Sequence, residues 1–230
     1  KHNPEFTMLE WYEAYADYEK TASDLELLVH GVAVEVLGSS SIERDGKTID
    51  LTPPWRRVTL RDAILEHAGI DIEVETTREK LAAAMGVELE SDVGWGKLVD
   101  TVFSKRVEPT LIEPTFILDY PKELSPFAKA HRSKEGVVER WEAFLGGVEI
   151  ANSFSELNDP DEQRRRFEQQ AEELARGDDE AQPYDESFIE ALEQGMPPTG
   201  GVGLGIDRLV MMLTGASSLR EVVLFPAMRD

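Results

Sequence analysis

Near its C-terminus the sequence reads GGVGLGIDRLVMMLTG, with Gly201, Gly203 and Gly205 at alternate positions and an apolar, helix-spaced run following at once. Side chains two apart on a strand share a face. One face of a strand over Gly200 to Gly205 therefore carries no side chains, and another backbone or a ligand can approach it closely. The helical pattern from Asp207 to Leu213 sets Arg208 beside the positive end of a helix, where an anionic group is stabilised. Close packing alone would also use such glycines. A dinucleotide-binding loop fits poorly: it needs G-x-G-x-x-G in a turn and an acidic residue about 20 positions later, whereas here the glycines lie within the strand and an arginine follows.

Two other segments show the same two-residue parity. In EIANSFSELND, strict alternation places Ile150, Asn152, Phe154 and Glu156 on one face, with Phe154 as an apolar floor between two polar groups. Glu142 and Glu149 flank the Gly146-Gly147 break and read as carboxylates without a basic partner near them in sequence. Such a pair suits a hard divalent cation such as Mg2+, which prefers oxygen and usually arrives with phosphate. Alternation alone turns Glu149 away from Glu156, so convergence on one site requires a bulge. In HNPEFTMLEWY, Phe6, Met8, Glu10 and Tyr12 share a face, with His2 and Asn3 where the chain enters the strand. An aromatic, a carboxylate and a phenol make a poor core but a reasonable wall for a ligand with a flat ring and a cation. Taken singly, these segments also fit a solvated strand face and a surface acidic cluster.

The remaining pattern predicts a strand over Glu5 to Tyr18, a helix over Thr21 to Leu37 ending at Gly38, and a hairpin over Ile42 to Leu51 turning at Asp45-Gly46. Short helices follow over Arg61 to His67, Thr77 to Met85 and Gly96 to Arg106. Strands are expected at Thr115 to Asp119 and across Val137 to Glu156. A helix capped at Asp159-Pro160 runs to Arg176, another spans Asp185 to Gln194, and a final strand is expected at Glu221 to Phe225. Helices inserted between hairpin-like strands indicate an α+β fold with a largely antiparallel sheet, in one domain.

The formal net charge is −22, from 46 acidic and 24 basic residues, which disfavours a broad surface for a nucleic-acid backbone. Any RNA contact must then be local or lie on other parts of the protein. Without cysteine, disulfides, thiolate metal sites and cysteine nucleophiles are excluded, and the composition is compatible with the cytosol. No run of apolar residues is long enough to span a membrane.

Together the three segments resemble one family. GVGLGIDR with LVMMLTG is similar to motif 3 of class II aminoacyl-tRNA synthetases, and HNPEFTMLEWYEAYADY to the second strand of their motif 2 in lysyl-tRNA synthetases of bacterial type. EIANSFSELNDPDEQRRRF resembles the lysine-pocket strand of those enzymes, and LFPAMR fits their end. The resemblance implies a class II catalytic fold and an enzyme that activates L-lysine with ATP and Mg2+ and transfers it to tRNA(Lys). The intact form is expected to be a cytoplasmic homodimer.

By residue, the resemblance implies that Phe6, His2, Arg208, Gly203 and Gly205 bind ATP, with Arg208 and His2 catalytic. Glu142 and Glu149 would hold Mg2+, while Glu10, Tyr12, Asn152, Phe154 and Glu156 form the lysine pocket. Motif 1, the front strand of motif 2 with its Arg-x-Glu, and the anticodon-binding barrel are not found in these 230 residues, which alone are expected not to adenylate lysine. Two rivals differ in kind: a paralogue that lysylates a translation factor, against which Gly203 and ANSFSE count, and a binding module that has lost catalysis.

Overall fold

The computed structural model describes residues 3–89, 93–125, 127–175 and 183–226. Its centre is a six-stranded sheet built from β1 (Met8–Ala14), β4 (Arg56–Thr59), β5 (Thr115–Pro121), β6 (Val137–Leu145), β7 (Val148–Ser155) and β8 (Thr199–Gly205), in the order β1-β8-β7-β6-β5-β4. All neighbours are antiparallel except β4 with β5. The expected α+β fold is the one observed, and β4 is a strand the sequence pattern did not reveal. Two hairpins form where the glycines foretold them. Asp45 and Gly46 (φ 49° and 74°) link β2 (Ser41–Arg44) to β3 (Lys47–Asp50), and Gly146 and Gly147 (φ 61° and 71°) link β6 to β7. Two successive residues at positive φ match the right-handed twist of the flanking strands.

The first helix, α1 (Tyr18–Leu37), starts three residues earlier than expected. Tyr15 at φ 63° ends the strand segment, and the Asp17 carboxylate accepts hydrogen bonds from the amides of Glu19 and Lys20, capping the helix at Tyr18. The helix buries Leu25, Val29 and Ala33 against Trp141, Ala151, Val202 and Leu204 on one side of the sheet. The other side carries α2 (Leu60–Ala68), α3 (Arg78–Met85), α4 (Trp95–Val102) and a π-helical turn at Phe103–Val107, which build a second core with Ile117, Tyr120, Val138 and Phe144. The acidic middle of the chain is thus a cover for β5 and β6.

Further on lie α5 (Pro160–Ala175), α6 (Glu186–Glu193) and α7 (Ile206–Thr214); Arg176, the expected end of α5, is outside the described residues. The final strand expected at Glu221 to Phe225 is not formed. A 3-10 turn occupies Leu219–Glu221, the amides of Val222 and Val223 both donate to the Leu219 carbonyl, and Leu224 and Phe225 are exposed. A strand needs a neighbour to accept from those amides, and the local turn has taken them. No helix among the described residues is long and apolar enough to cross a membrane.

Gly200 shows how tightly α1 meets the sheet. A Cβ there would lie 2.7 Å from Thr21 Cγ2 and 3.1 Å from the Asp17 carbonyl oxygen. Backbone cannot yield cheaply, so Gly200→Ala should cost about 1–3 kcal/mol, read as a lower denaturation midpoint in urea.

Candidate active site

The bare face of β8 is the floor of the site. Gly203 pairs with Glu10 of β1 and Asn152 of β7, and Gly201 with Tyr12 and Phe154. Met8, Glu10, Tyr12, Asn152, Phe154 and Glu156 therefore rise from one face around the glycines, as parity required. The glycines are needed for space. A Cβ on Gly201 would fall 1.9 Å from Glu156 Oε1 and 2.8 Å from Tyr12 Cε1, and one on Gly203 would fall 2.7 Å from Met8 Cε. The alternate residues Val202 and Leu204 face the opposite core.

Two cavities meet on this face. The larger, about 300 Å3, is lined by Asn3, Phe6, Met8, Glu149, Asn152, Gly203, Gly205, Asp207 and Arg208. The smaller, about 130 Å3, is lined by Met8, Glu10, Tyr12, Asn152, Phe154, Glu156, Gly201 and Gly203, with no basic side chain. Met8, Asn152 and Gly203 belong to both and form the junction. The Glu156 carboxyl finds no hydrogen-bond or ion-pair partner among the described residues, and burial pushes its pKa up to about 7. Burial, with the negative charges of Glu156 and Glu10, also raises the Tyr12 phenol. Among the described residues, the small cavity is a negative, half-dry slot without a cation of its own.

The bulge that Glu149 needed is present. The β6–β7 register slips between Ala143 and Phe144, where Ala151 faces Ala143 but Glu149 faces Phe144. Ile150 is the extra residue, and it corrects the simple alternation: it is buried in the α1-side core instead of sharing Asn152's face. The flip returns Glu149 to the cavity side, where Arg208 Nη1 donates to its carboxylate at 3.0 Å and its carbonyl at 2.7 Å. At the entrance the Thr7 amide donates to Asp207 Oδ2 at 2.7 Å, fixing the Phe6 segment against the start of α7.

Glu142 lies across from Asn152 on β6. Contrary to the expectation of carboxylates lacking a basic partner, Arg140 pairs with Glu142, as Arg208 does with Glu149. Tyr120 Oη also donates to Glu142 at 2.8 Å. Burial raises the Glu142 carboxyl, Arg140 opposes that shift, and the charge of Glu149 adds to it. His2, expected at the triphosphate, lies outside the described residues. Among those residues no group of three or more His, Cys, Asp or Glu side chains could hold a metal unaided.

The whole of this architecture falls within one protein family: the model of class II tRNA synthetases (D, K and N) matches residues 1–229. The chain belongs to the class II tRNA synthetases. Among curated relatives, all of this chain aligns with the lysine–tRNA ligase of Thermosynechococcus vestitus at 54% identity over 233 residues, covering 46% of that protein. It is 53% identical to the lysine–tRNA ligase of Moorella thermoacetica and 52% identical to that of Nostoc punctiforme, covering 47% and 42% of them. The chain thus spans about half the length of the curated relatives it matches.

In this class II synthetase chain the sequence reading missed three site residues. Gly201 was read as a bare position but not as the space that Glu156 and Tyr12 fill. Arg140 shares Glu142's face by parity, which would have revealed it. Tyr120 could not be found from sequence, because it reaches Glu142 across a strand pairing that itself contains an irregularity between Leu118 and Tyr120.

Proposed function

We propose that this chain carries the lysine pocket and part of the ATP site of a lysine–tRNA ligase, which forms lysyl-adenylate and transfers the amino acid to tRNA(Lys). The observation that carries this reading is the half-buried, unpartnered Glu156 carboxyl in a narrow cavity, with Glu10 and Tyr12 beside it and no basic side chain among the described residues that line it. Lysine is a point cation on an apolar stem. Its ammonium would satisfy Glu156, and its stem would lie along Phe154. Neutral isosteres would leave that carboxylate unpaired, and an acidic substrate would meet like charge.

The larger cavity suits ATP. Phe6 and Arg208 would flank the adenine or hold the outer phosphate, Gly203 and Gly205 would let the nucleotide approach the sheet, and His2 would touch the triphosphate. Glu142 and Glu149 fit Mg2+: they are two carboxylates on one face, close enough that the charge of one raises the pKa of the other. When bound there, the ion would offset phosphate charge. The lysine carboxylate then attacks the α-phosphorus in line and pyrophosphate leaves, so the residues of this chain act by alignment and charge compensation rather than as nucleophiles. The remainder of a single catalytic domain, the dimer contacts and the anticodon-reading surface would come from outside these residues in a cytoplasmic homodimer.

One consequence is a defined pH dependence. The ammonium binds the ionised form of Glu156, whose pKa of about 7 must be overcome below neutrality. Lysine affinity of the full-length protein should therefore rise about tenfold per pH unit below about pH 7 and level off above it, with one proton released per lysine bound at lower pH. Calorimetry in buffers of different ionisation enthalpy measures that proton. A flat profile from pH 5.5 to 8 (about 30-fold in expected change,) would contradict the assignment of Glu156.

A further inference from the structure

Arg140 ties the two halves of the site together. It emerges from β6 opposite Phe154, and its guanidinium lies 4.5 Å from the Tyr120 ring centre and 5.5 Å from that of Phe154. Nη1 donates to the Leu124 carbonyl at 2.8 Å and to Ser125 Oγ at 2.6 Å, Nη2 donates to Glu142, and Nε donates to Asn152 Oδ1 at 3.1 Å. Its direction in space is thereby fixed by two rings and four acceptors. A guanidinium can only donate, so the Asn152 group facing it must be the carbonyl oxygen. The Asn152 NH2 is then turned away from Arg140, at the junction of the two cavities.

We infer that Arg140 is a positioning residue that locks Asn152 as a hydrogen-bond donor toward the α-carboxylate of the amino acid. This rests on the lysine reading above and deepens it. A free asparagine side chain presents its oxygen or its NH2 with little preference, and its oxygen would repel a carboxylate. With Arg140 holding the oxygen, only the donor remains for the ligand. The planar fork matters because lysine at this position would keep the charge but lose the two-ring stack and the divided set of donors.

The test is a double-mutant cycle in the full-length protein, read by lysine-dependent ATP–pyrophosphate exchange and by competition with 1,5-diaminopentane, which is lysine without its carboxylate. Arg140→Lys is expected to raise the lysine KM about tenfold, and Asn152→Ala to do at least as much. The double variant should be no worse than Asn152→Ala within about twofold, because both changes remove one interaction. Inhibition by the diamine should stay within about twofold in all three. Multiplying losses, or equal weakening of the diamine, would show that Arg140 supports the pocket in general and would overturn the inference.

Should Arg140→Lys fail to fold, Asn152→Asp carries the same test. It still accepts from Arg140 but offers the ligand an anion, so lysine binding should fall more than tenfold with diamine inhibition retained, and the reverse would overturn the inference. A wild-type protein that activates no lysine and binds no diamine is a separate outcome: it removes the functional reading and this inference with it.

Discussion

Glu156→Gln is expected to raise the lysine requirement for adenylation by about a hundredfold, with the ATP requirement changed by less than about threefold. Glutamine keeps the size and one acceptor but loses the charge. In the small cavity the ammonium would then be desolvated against neutral groups, with only Glu10 and Tyr12 at a distance to compensate. The same substitution should alter the ligand-free protein in the opposite sense. A carboxyl whose folded pKa is about 7, above its ordinary value, contributes stability below that ordinary value and loses it as the pH rises through 7. The glutamine variant lacks this loss, so it should unfold at a higher temperature than the wild type at pH 8 and show little advantage at pH 5. Lysine activation unchanged by Glu156→Gln would mean that the ammonium is read elsewhere.

Gly201→Ala should separate function from folding still more sharply. The added methyl would sit 1.9 Å from Glu156 Oε1 and 2.8–2.9 Å from the Tyr12 ring, both of them side-chain atoms that can move. Tyr12 is 67% exposed, so the ring can swing outward with little loss of burial. The backbone at Gly201 needs no positive φ. The fold is therefore expected to survive with a shift in Tm of no more than about 4 °C, while the carboxylate is displaced from the cavity and lysine affinity falls by a hundredfold or more. Its neighbour reverses this pattern. Gly200 faces α1, where an alanine meets a backbone carbonyl, so that substitution weakens the fold without touching the cavity. Two adjacent glycines thus report on the two faces of one strand. Equal loss of stability in both variants would contradict the geometry.

The contrast also shows what a sequence can reveal here. A period of two grouped Glu10 with Tyr12, and Asn152 with Phe154 and Glu156; the resemblance joined the two groups, and they meet because β1 and β7 both pair in register with β8. It failed for Ile150, since one extra residue in β7 reverses the parity and nothing local marks the slip. It failed again at Glu221 to Phe225: an apolar run has strand character, but whether it becomes a strand depends on a neighbour from elsewhere in the chain. β4 was missed for the complementary reason. Four residues hold no readable period, and β4 is a strand by virtue of its parallel pairing with β5. Helix ends depended on caps, and Asp17 ahead of Tyr18 is a capping residue that the aromatic strand pattern concealed.

The central claim, that this class II synthetase site is built for lysine, is tested most directly by substrate-dependent ATP–pyrophosphate exchange in the full-length protein with lysine, aspartate and asparagine compared at equal concentrations. The family model spans enzymes for all three amino acids, but the small cavity is lined by the carboxyls of Glu10 and Glu156 and, among the described residues, by no basic side chain. Exchange with lysine, at least about a thousandfold above that with aspartate or asparagine, is the expected result. Exchange that aspartate or asparagine supports as well as lysine would contradict it.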